Sequence, residues 1–276
     1  MFISVVIPTH NRRDFVLRAL ASVFAQTREP DEVIVIDDGS DDGTSTSVRT
    51  RYPQARLIQQ ANRGVSAARN AGINAARSEW VAFLDSDDEW HPQKLAEQED
   101  LVAKRPQTQL VHCNESWIRN GQSLQQKSYH RKSGGDIFEP SLHRCLISPS
   151  AAMVRRELLL SLGLFDESLP ACEDYDLWLR VTAIHPVEFI DRPLVTKYGG
   201  HVDQLSRSIW GLDRFRIRVL SNLLANGTLN PRQAAATNTV LQKKTRVYAN
   251  GAFKRGKWLE ALALLRLAAQ AKLQYA

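Results

Sequence analysis

The chain has 276 residues, 43% hydrophobic and 24% charged, the composition of a folded globular protein with a sizeable core and not of a disordered one. Three cysteines, Cys113, Cys145 and Cys172, form an odd set with no close pair, which fits neither a disulfide framework nor a zinc site and points to a reducing cytoplasm. The net charge of +6 is unevenly spread: residues 211–276 carry twelve Lys/Arg against Asp213 and Glu260, so this tail is +10 and the first 210 residues are −4. That asymmetry predicts an acidic, site-bearing body and a basic appendage, the latter either a solvated helical face or a surface for phosphates or an anionic membrane.

The apolar run Phe2–Ile7 stops at Pro8, without the basic leader and longer apolar segment of a signal peptide, and no stretch approaches the length of a membrane span. Phe2–Ile7, Glu32–Ile36, Arg56–Ile58 and Trp80–Leu84 are expected to be strands buried on both faces. Helical patterns lie between them at Asp14–Ala25, Thr44–Tyr52 and Val65–Ala76, giving the alternation of parallel strands with crossover helices. Pro92 opens a further helix to about Lys104, and Leu110–His112 reads as a fifth strand.

From Glu115 to about Pro149 the pattern breaks down. Asn120-Gly121 suggests a hairpin and the remainder reads as irregular structure. Ala151–Val154, Val187–Ile190 and Leu194–Lys197 are expected to be strands, and Arg156–Leu162 and Asp174–Ala183 helices. The tail reads as helices only, at Leu212–Leu224, Pro231–Tyr248 and Trp258–Gln270.

Ligands of an open parallel sheet bind beyond the carboxyl ends of its strands. There the sequence sets Pro8-Thr9-His10-Asn11, Asp37-Asp38-Gly39-Ser40 and Asp85-Ser86-Asp87-Asp88, with Asn62-Arg63-Gly64 leading into the helix of Arg69 and Asn70. Asp85 and Asp87, two apart on an extended segment, can present oxygens into one volume, a donor set that suits magnesium or manganese completed by waters and substrate phosphates. Glu173 and Asp174 are expected at a helix start, as an N-cap and first turn, where a carboxylate facing the crevice can accept a proton. His201, after Gly199-Gly200, is a further candidate metal ligand. No Gly-rich phosphate loop follows the first strand, which argues against kinases, ATPases and dehydrogenases.

Taken in order, Val5–Arg12, Val35–Thr44, Asn62-Arg63-Gly64 with Ala68-Arg69-Asn70-Ala71-Gly72, Phe83–Asp88 and Glu173-Asp174 resemble glycosyltransferase family 2, the inverting enzymes of the GT-A fold, over about residues 3–205. The resemblance implies an α/β fold: a Rossmann-like, mostly parallel sheet flanked by helices. The catalytic domain would span 1–210, with a nucleotide-sugar half of about 1–112 and an acceptor half of about 113–210, followed by a basic all-helical region, 211–276. It implies that Pro8, Thr9, Asn11, Asp38, Arg69 and Asp85 line the nucleotide-sugar site. Asp87, with Asp85 and His201, would hold a divalent metal, Mn2+ or Mg2+, and Asp88 could share the role of Asp87. Asp174, with Glu173 beside it, would be the catalytic base.

The function implied is metal-dependent transfer of a sugar from a nucleoside-diphosphate sugar, UDP being the expected nucleotide, to a glycan or lipid-linked acceptor hydroxyl. Surface-polysaccharide or lipid-linked glycan assembly is the expected setting, in the cytoplasm or peripherally at the inner face of the membrane through the basic helices. A sugar nucleotidyltransferase would need a Gly-rich basic loop where Thr9-His10-Asn11-Arg12-Arg13 stands. The remaining alternative is a non-catalytic nucleotide-binding module, or one binding nucleic acid or membrane through its tail. Asp85, Asp87 and Asp174 speak against a dead enzyme, and the tail's few aromatics look like helix-face core and not like stacking platforms for nucleic acid.

Overall fold

The computed structural model describes residues 1–125, 130–200 and 209–274, with side-chain surroundings given to residue 270. The chain divides into two compact units: Met1–Gly135, Ile147–Ser168 and Pro186–His201 form the first, Asp136–Leu146, Leu169–His185 and Val202–Ala276 the second. A single cut after Trp210 therefore does not describe them, because two segments of the acidic body cluster with the tail helices.

The first unit is built on one sheet. Its strands are β1 (Ile3–Thr9), β2 (Glu32–Asp37), β3 (Arg56–Gln59), β4 (Trp80–Phe83), β5 (Glu89–Trp90), β6 (Leu110–Arg119), β7 (Gln122–Leu124), β8 (Met153–Arg155) and β9 (Glu188–Gly199). Their order is β3-β2-β1-β4-β8-β6-β9-β5, with β7 paired to β6. β1 to β4 run parallel, and β8 inserts antiparallel between β4 and β6. The crossover helices are α1 (Arg13–Phe24), α2 (Thr44–Arg51) and α3 (Val65–Ala75), followed by α4 (Lys94–Lys104); α5 (Phe138–His143) belongs to the second unit and α6 (Arg156–Ser161) to the first.

β1 shows why the leading strands read as unbroken apolar runs. Its residues 3, 5 and 7 join a core with Val16, Leu20 and Val23 of α1, while Val6 on the other face meets α3. The second contact is so close that a Cβ at Gly72 would lie 2.3 Å from Val6 Cγ1, so α3 can approach only through a glycine. β3 departs from the expectation of burial on both faces: Arg56 and Gln59 are exposed, because it is the edge strand and has one neighbour, β2.

Two other expectations change. The strand expected at Leu110–His112 is β6, which continues to Arg119 into the region expected to be irregular; the expected hairpin at Asn120-Gly121 joins it to β7, and the region later holds α5. The two late strands are one, β9; its pairing to β6 shifts register at Cys113, Asn114 and Glu115, where Pro193 offers no amide donor; Asn114 Nδ2 also donates to the Asp191 carboxylate at 2.9 Å.

The second unit is helical: α5, α7 (Glu173–Thr182), α8 (Asp213–Ala225), α9 (Pro231–Lys254) and α10 (Trp258–Gln274). Its core joins Phe138 and Leu142, Tyr175 and Leu179, Leu220 and Leu224, Leu241 and Tyr248, and Ala261 and Ala268. α9 starts at a capping box, in which Asn230 accepts from Gln233 N and Gln233 accepts from Asn230 N. It runs past Tyr248 to Lys254 because Ala249 and Ala252 continue the buried stripe.

Candidate active site

The ends of β1 and β2 are tied into one platform. Asp38 N donates to Thr9 O at 2.8 Å, Asn11 N donates to Ser40 Oγ at 2.8 Å, and Asp41 N donates to Asn11 Oδ1 at 2.8 Å. Asn11 thus spends its amide oxygen on the neighbouring loop, with a positive φ of 50°. Gly39 needs its left-handed conformation and its missing side chain alike, since a Cβ there would lie 2.8 Å from Asn62 N.

Asp38 is buried and organises the loop before α3. Its Oδ1 accepts from Gln60 Nε2 at 2.7 Å and Arg63 N at 2.9 Å, and its Oδ2 accepts from Gly64 N at 2.8 Å. Asp37 beside it accepts from Ser40 N at 2.9 Å and from the Ser45 hydroxyl. Thr9, just ahead of this platform, is buried and its hydroxyl has no partner among the described residues; Pro8, the residue before it, is a buried member of β1 paired with Ile36. A buried hydroxyl without a partner is costly in a finished core and ordinary where a ligand completes it.

The loop after β4 carries the carboxylates. Arg69 Nη2 donates to Asp85 Oδ1 at 2.7 Å and lies 5.2 Å from the Phe165 ring. Arg12 Nη1 stands 3.0 Å from Asp87 Oδ2, and Arg18 Nη2 donates to the Asp87 carbonyl at 2.8 Å. Asp88 turns inward, where Ser150 Oγ donates to it at 2.6 Å and Lys197 Nζ lies 3.6 Å away. Asp88 is therefore engaged by the protein interior, whereas Asp85 and Asp87 keep partly exposed side chains.

Burial raises the Asp85 carboxyl, but Arg69, Lys197 and Arg12 together outweigh it and hold the group below its ordinary value. Burial dominates at Asp88 and, with Asp87 and Asp85 adding to it against Lys197, pushes it up to about 7. For Lys197 burial acts downward, and the surrounding carboxylates Asp88, Glu115, Asp85 and Asp87 raise it nonetheless. Lys197 comes from β9, more than a hundred residues beyond Asp85, Asp87 and Asp88, and sequence reading missed it. It missed the counter-charge of Arg12 and the anchor at Ser150 as well. No local motif marks Lys197 and Ser150; only the pairing of β9 and β8 with the sheet brings them in.

A second buried ion pair adjoins Lys197. Lys132 Nζ is 2.7 Å from Glu115 Oε2, which also accepts from Ser148 Oγ at 2.5 Å, while Trp117 Nε1 donates to Oε1 at 2.8 Å. Burial pushes the Glu115 carboxyl up, but Lys132 and then Lys197 overcome it and hold the group at about 2.

Glu173 and Asp174 belong to the second unit and open α7. They are not its N-cap: that position is Cys172, held at φ 66° with no side-chain cap, so both acids fall in the first turn. A left-handed non-glycine residue at the head of a helix is backbone strain of about 1 kcal/mol or more. Glu173 is buried, and Asp174 is half-buried, accepting from its own helix's Tyr175 N at 2.7 Å and from Cys145 Sγ at 3.4 Å. His201 lies outside the described residues.

Asp85 and Asp87 offer the hard oxygen donors that a divalent cation takes one or two at a time, and the charge of each is balanced by an arginine. No group of three or more His, Cys, Asp or Glu side chains able to hold a metal occurs among the described residues. The described residues therefore fit a cation that draws part of its shell from phosphate oxygens and water, and among them there is no all-protein cage.

The sheet order, the antiparallel β8 and the flanking helices match the GT-A type of transferase fold. The structure of S. aureus TarS in complex with UDP-GlcNAc aligns over 97% of this chain and 82% of that one, with a TM-score of 0.75 at 19% identity. The mannosyltransferase PcManGT from Pyrobaculum calidifontis, in complex with GDP-Man and Mn2+, aligns over 98% and 80%, with a TM-score of 0.56 at 22% identity. In sequence, the pattern of glycosyl transferase family 2 matches residues 4–163, and the chain belongs to that family. Relatives include an uncharacterized glycosyltransferase of Rickettsia felis, 29% identical over 214 residues, and one of Rickettsia conorii, 30% identical over 214 residues. Each alignment covers 75% of this chain, which spans 35% of the length of either relative. The uncharacterized glycosyltransferase YibD of Escherichia coli is 37% identical over 118 residues, 42% of this chain and 34% of its own length.

Proposed function

We propose that the protein is a metal-dependent inverting glycosyltransferase that moves a sugar from a nucleoside-diphosphate sugar, with UDP as the nucleotide, onto an acceptor hydroxyl. The observation that carries this reading is the pair Asp85 and Asp87 at the end of β4, beside the Asp38 platform at the ends of β1 and β2, inside the segment that defines the family. The UDP-GlcNAc and UDP complexes of TarS support the choice of nucleotide, and the Mn2+ in PcManGT supports the metal.

In this reading Pro8, Thr9, Asn11 and Asp38 receive the nucleoside. Thr9 offers its free hydroxyl, and Asp38 keeps acceptor capacity on Oδ2, which takes one bond from the protein. Asp85 and Asp87 hold the cation, with His201 as the third protein ligand, and Arg69 keeps Asp85 ionised and oriented. When bound, the cation neutralises charge developing on the departing diphosphate. Asp174, with Glu173 beside it, accepts the proton of the acceptor hydroxyl as that oxygen attacks the anomeric carbon from the face opposite the diphosphate, so the configuration inverts.

The acceptor is a glycan or a lipid-linked glycan of surface-polysaccharide assembly, and contact of the basic C-terminal helices with the inner face of the membrane goes with it. Among the described residues no helix is long and apolar enough to cross a membrane. The test of this assignment is Asp174→Asn, which should keep diphosphate binding while release of UDP from a UDP-hexose falls about a hundredfold or more. Unchanged turnover in that variant contradicts the role given to Asp174.

A further inference from the structure

The last helix, α10, is apolar on more of its surface than its own unit covers. Its inward side places Ala261 and Ala268 in the core, with Leu264 and Leu267 packed on them. At 100° per residue Trp258, Leu259, Leu262 and Leu265 form an adjoining face that turns away from this stripe, and all four are exposed, Leu259 at 85% and Trp258 at 61%. Arg266 lies among them, also exposed.

The approach to this face is cationic. Lys254, Arg255 and Lys257 occupy the exposed turn that leads into Trp258. Arg255 and Lys257 stand 4.6 Å and 4.3 Å from the ring of Trp210, itself half exposed. Glu260, the one acid of α10, is partly buried and engaged within its own unit: it accepts from the Tyr248 hydroxyl at 2.6 Å, with Arg214 and Lys257 within 4 Å.

We propose that this face of α10 docks on a lipid bilayer carrying anionic headgroups, with Trp258, Leu259, Leu262 and Leu265 entering the interface and Lys254, Arg255, Lys257 and Arg266 meeting the headgroups. The proposal deepens the membrane contact suggested above by naming the face and the lipid chemistry. A bilayer surface supplies both things the face lacks, an apolar phase and negative charge. A second copy supplies only the first: a two-fold contact sets each patch against itself and brings the four cations of one copy against those of the other.

The test is co-sedimentation of the full chain, without donor or metal, with vesicles of phosphatidylcholine alone and of phosphatidylcholine mixed with phosphatidylglycerol. Binding is expected to the mixed vesicles and not to the neutral ones, to weaken with salt, and to fall about tenfold or more in Leu259→Ser/Leu262→Ser. Both leucines are exposed, so circular dichroism should stay unchanged in that variant. Lys254→Glu/Lys257→Glu should lose binding to the mixed vesicles by a comparable factor. Failure to bind phosphatidylglycerol vesicles, or equal binding by both variants and the parent chain, overturns the proposal. So does a dimer in sedimentation equilibrium that the leucine variant dissolves, which would give the face to a second copy. Diphosphate binding, measured on the same samples, reports the transferase reading separately.

Discussion

Arg69 is 4% exposed and donates to Asp85 at 2.7 Å, so the carboxylate at the end of β4 is set by a guanidinium rooted in α3. The pair links the part of the sequence that reads as a nucleotide platform to the part that reads as a metal site. Arg69→Met should leave Asp85 ionised and half-buried without its closest counter-charge. A loss of about 3 kcal/mol is expected in urea denaturation. Asp85→Asn should cost less, because the amide oxygen still accepts from Arg69, and a reversed ranking would contradict this division of roles.

Gly72→Ala is a substitution that helix propensity favours by about 1 kcal/mol. Here it should destabilise by about 1–3 kcal/mol, because the new methyl group would meet Val6 Cγ1 at 2.3 Å. Adding Val6→Ala should recover part of the loss, and the coupling is read from thermal or urea melts of the four proteins in the cycle. Simple additivity would mean that α3 and β1 do not meet at this point.

Glu115 predicts an acid dependence of stability. Its carboxyl is held at about 2 against an ordinary 4.5, so the folded state binds fewer protons than the unfolded chain between those values. The stabilisation is complete above about 4.5 and is lost as pH falls toward 2, and it amounts to a few kcal/mol. Glu115→Gln should be less stable than the parent at pH 7, and the gap should close on acidification through that window. A gap independent of pH would show that the ion pair with Lys132 does not set the titration.

Asp38 links fold and binding. Two of its three accepted bonds fix the backbone at Arg63 and Gly64 and the third holds the Gln60 side chain, and Asp38→Ala leaves those donors without their acceptor. About 1–3 kcal/mol of stability should be lost, and diphosphate affinity should drop with it in calorimetry. Retained affinity would show that the platform binds nothing through this loop.

The parallel half of the sheet was legible because β1, β2 and β4 are buried on both faces and write continuous apolar runs, each ending in the polar residues of its crevice loop. β3 was legible as a strand but not as an edge, since sheet position depends on which neighbours exist. The sheet beyond β4 was harder. β5 has two residues, β8 has three and runs antiparallel, and β9 carries Pro193 at a register shift, so local patterns gave boundaries where pairing gives continuity. The acidic loops could be read from the chain because aspartates after buried strands are out of place in a core. Their counter-charges could not be placed so easily: Lys197 and Ser150 come from β9 and the turn before β8, and Arg12 becomes informative only once Asp87 lies opposite it.

The central claim, that Asp85, Asp87 and the Asp38 platform form a metal-assisted diphosphate site, is met most directly by calorimetric titration with UDP, GDP and CDP, with and without Mn2+, for the parent chain and Asp87→Ala. The account predicts that UDP binds in preference to GDP and CDP, that binding requires Mn2+, and that it is lost in Asp87→Ala. Absence of binding by all three diphosphates with Mn2+ present, or UDP binding that neither Mn2+ nor Asp87→Ala alters, would contradict it.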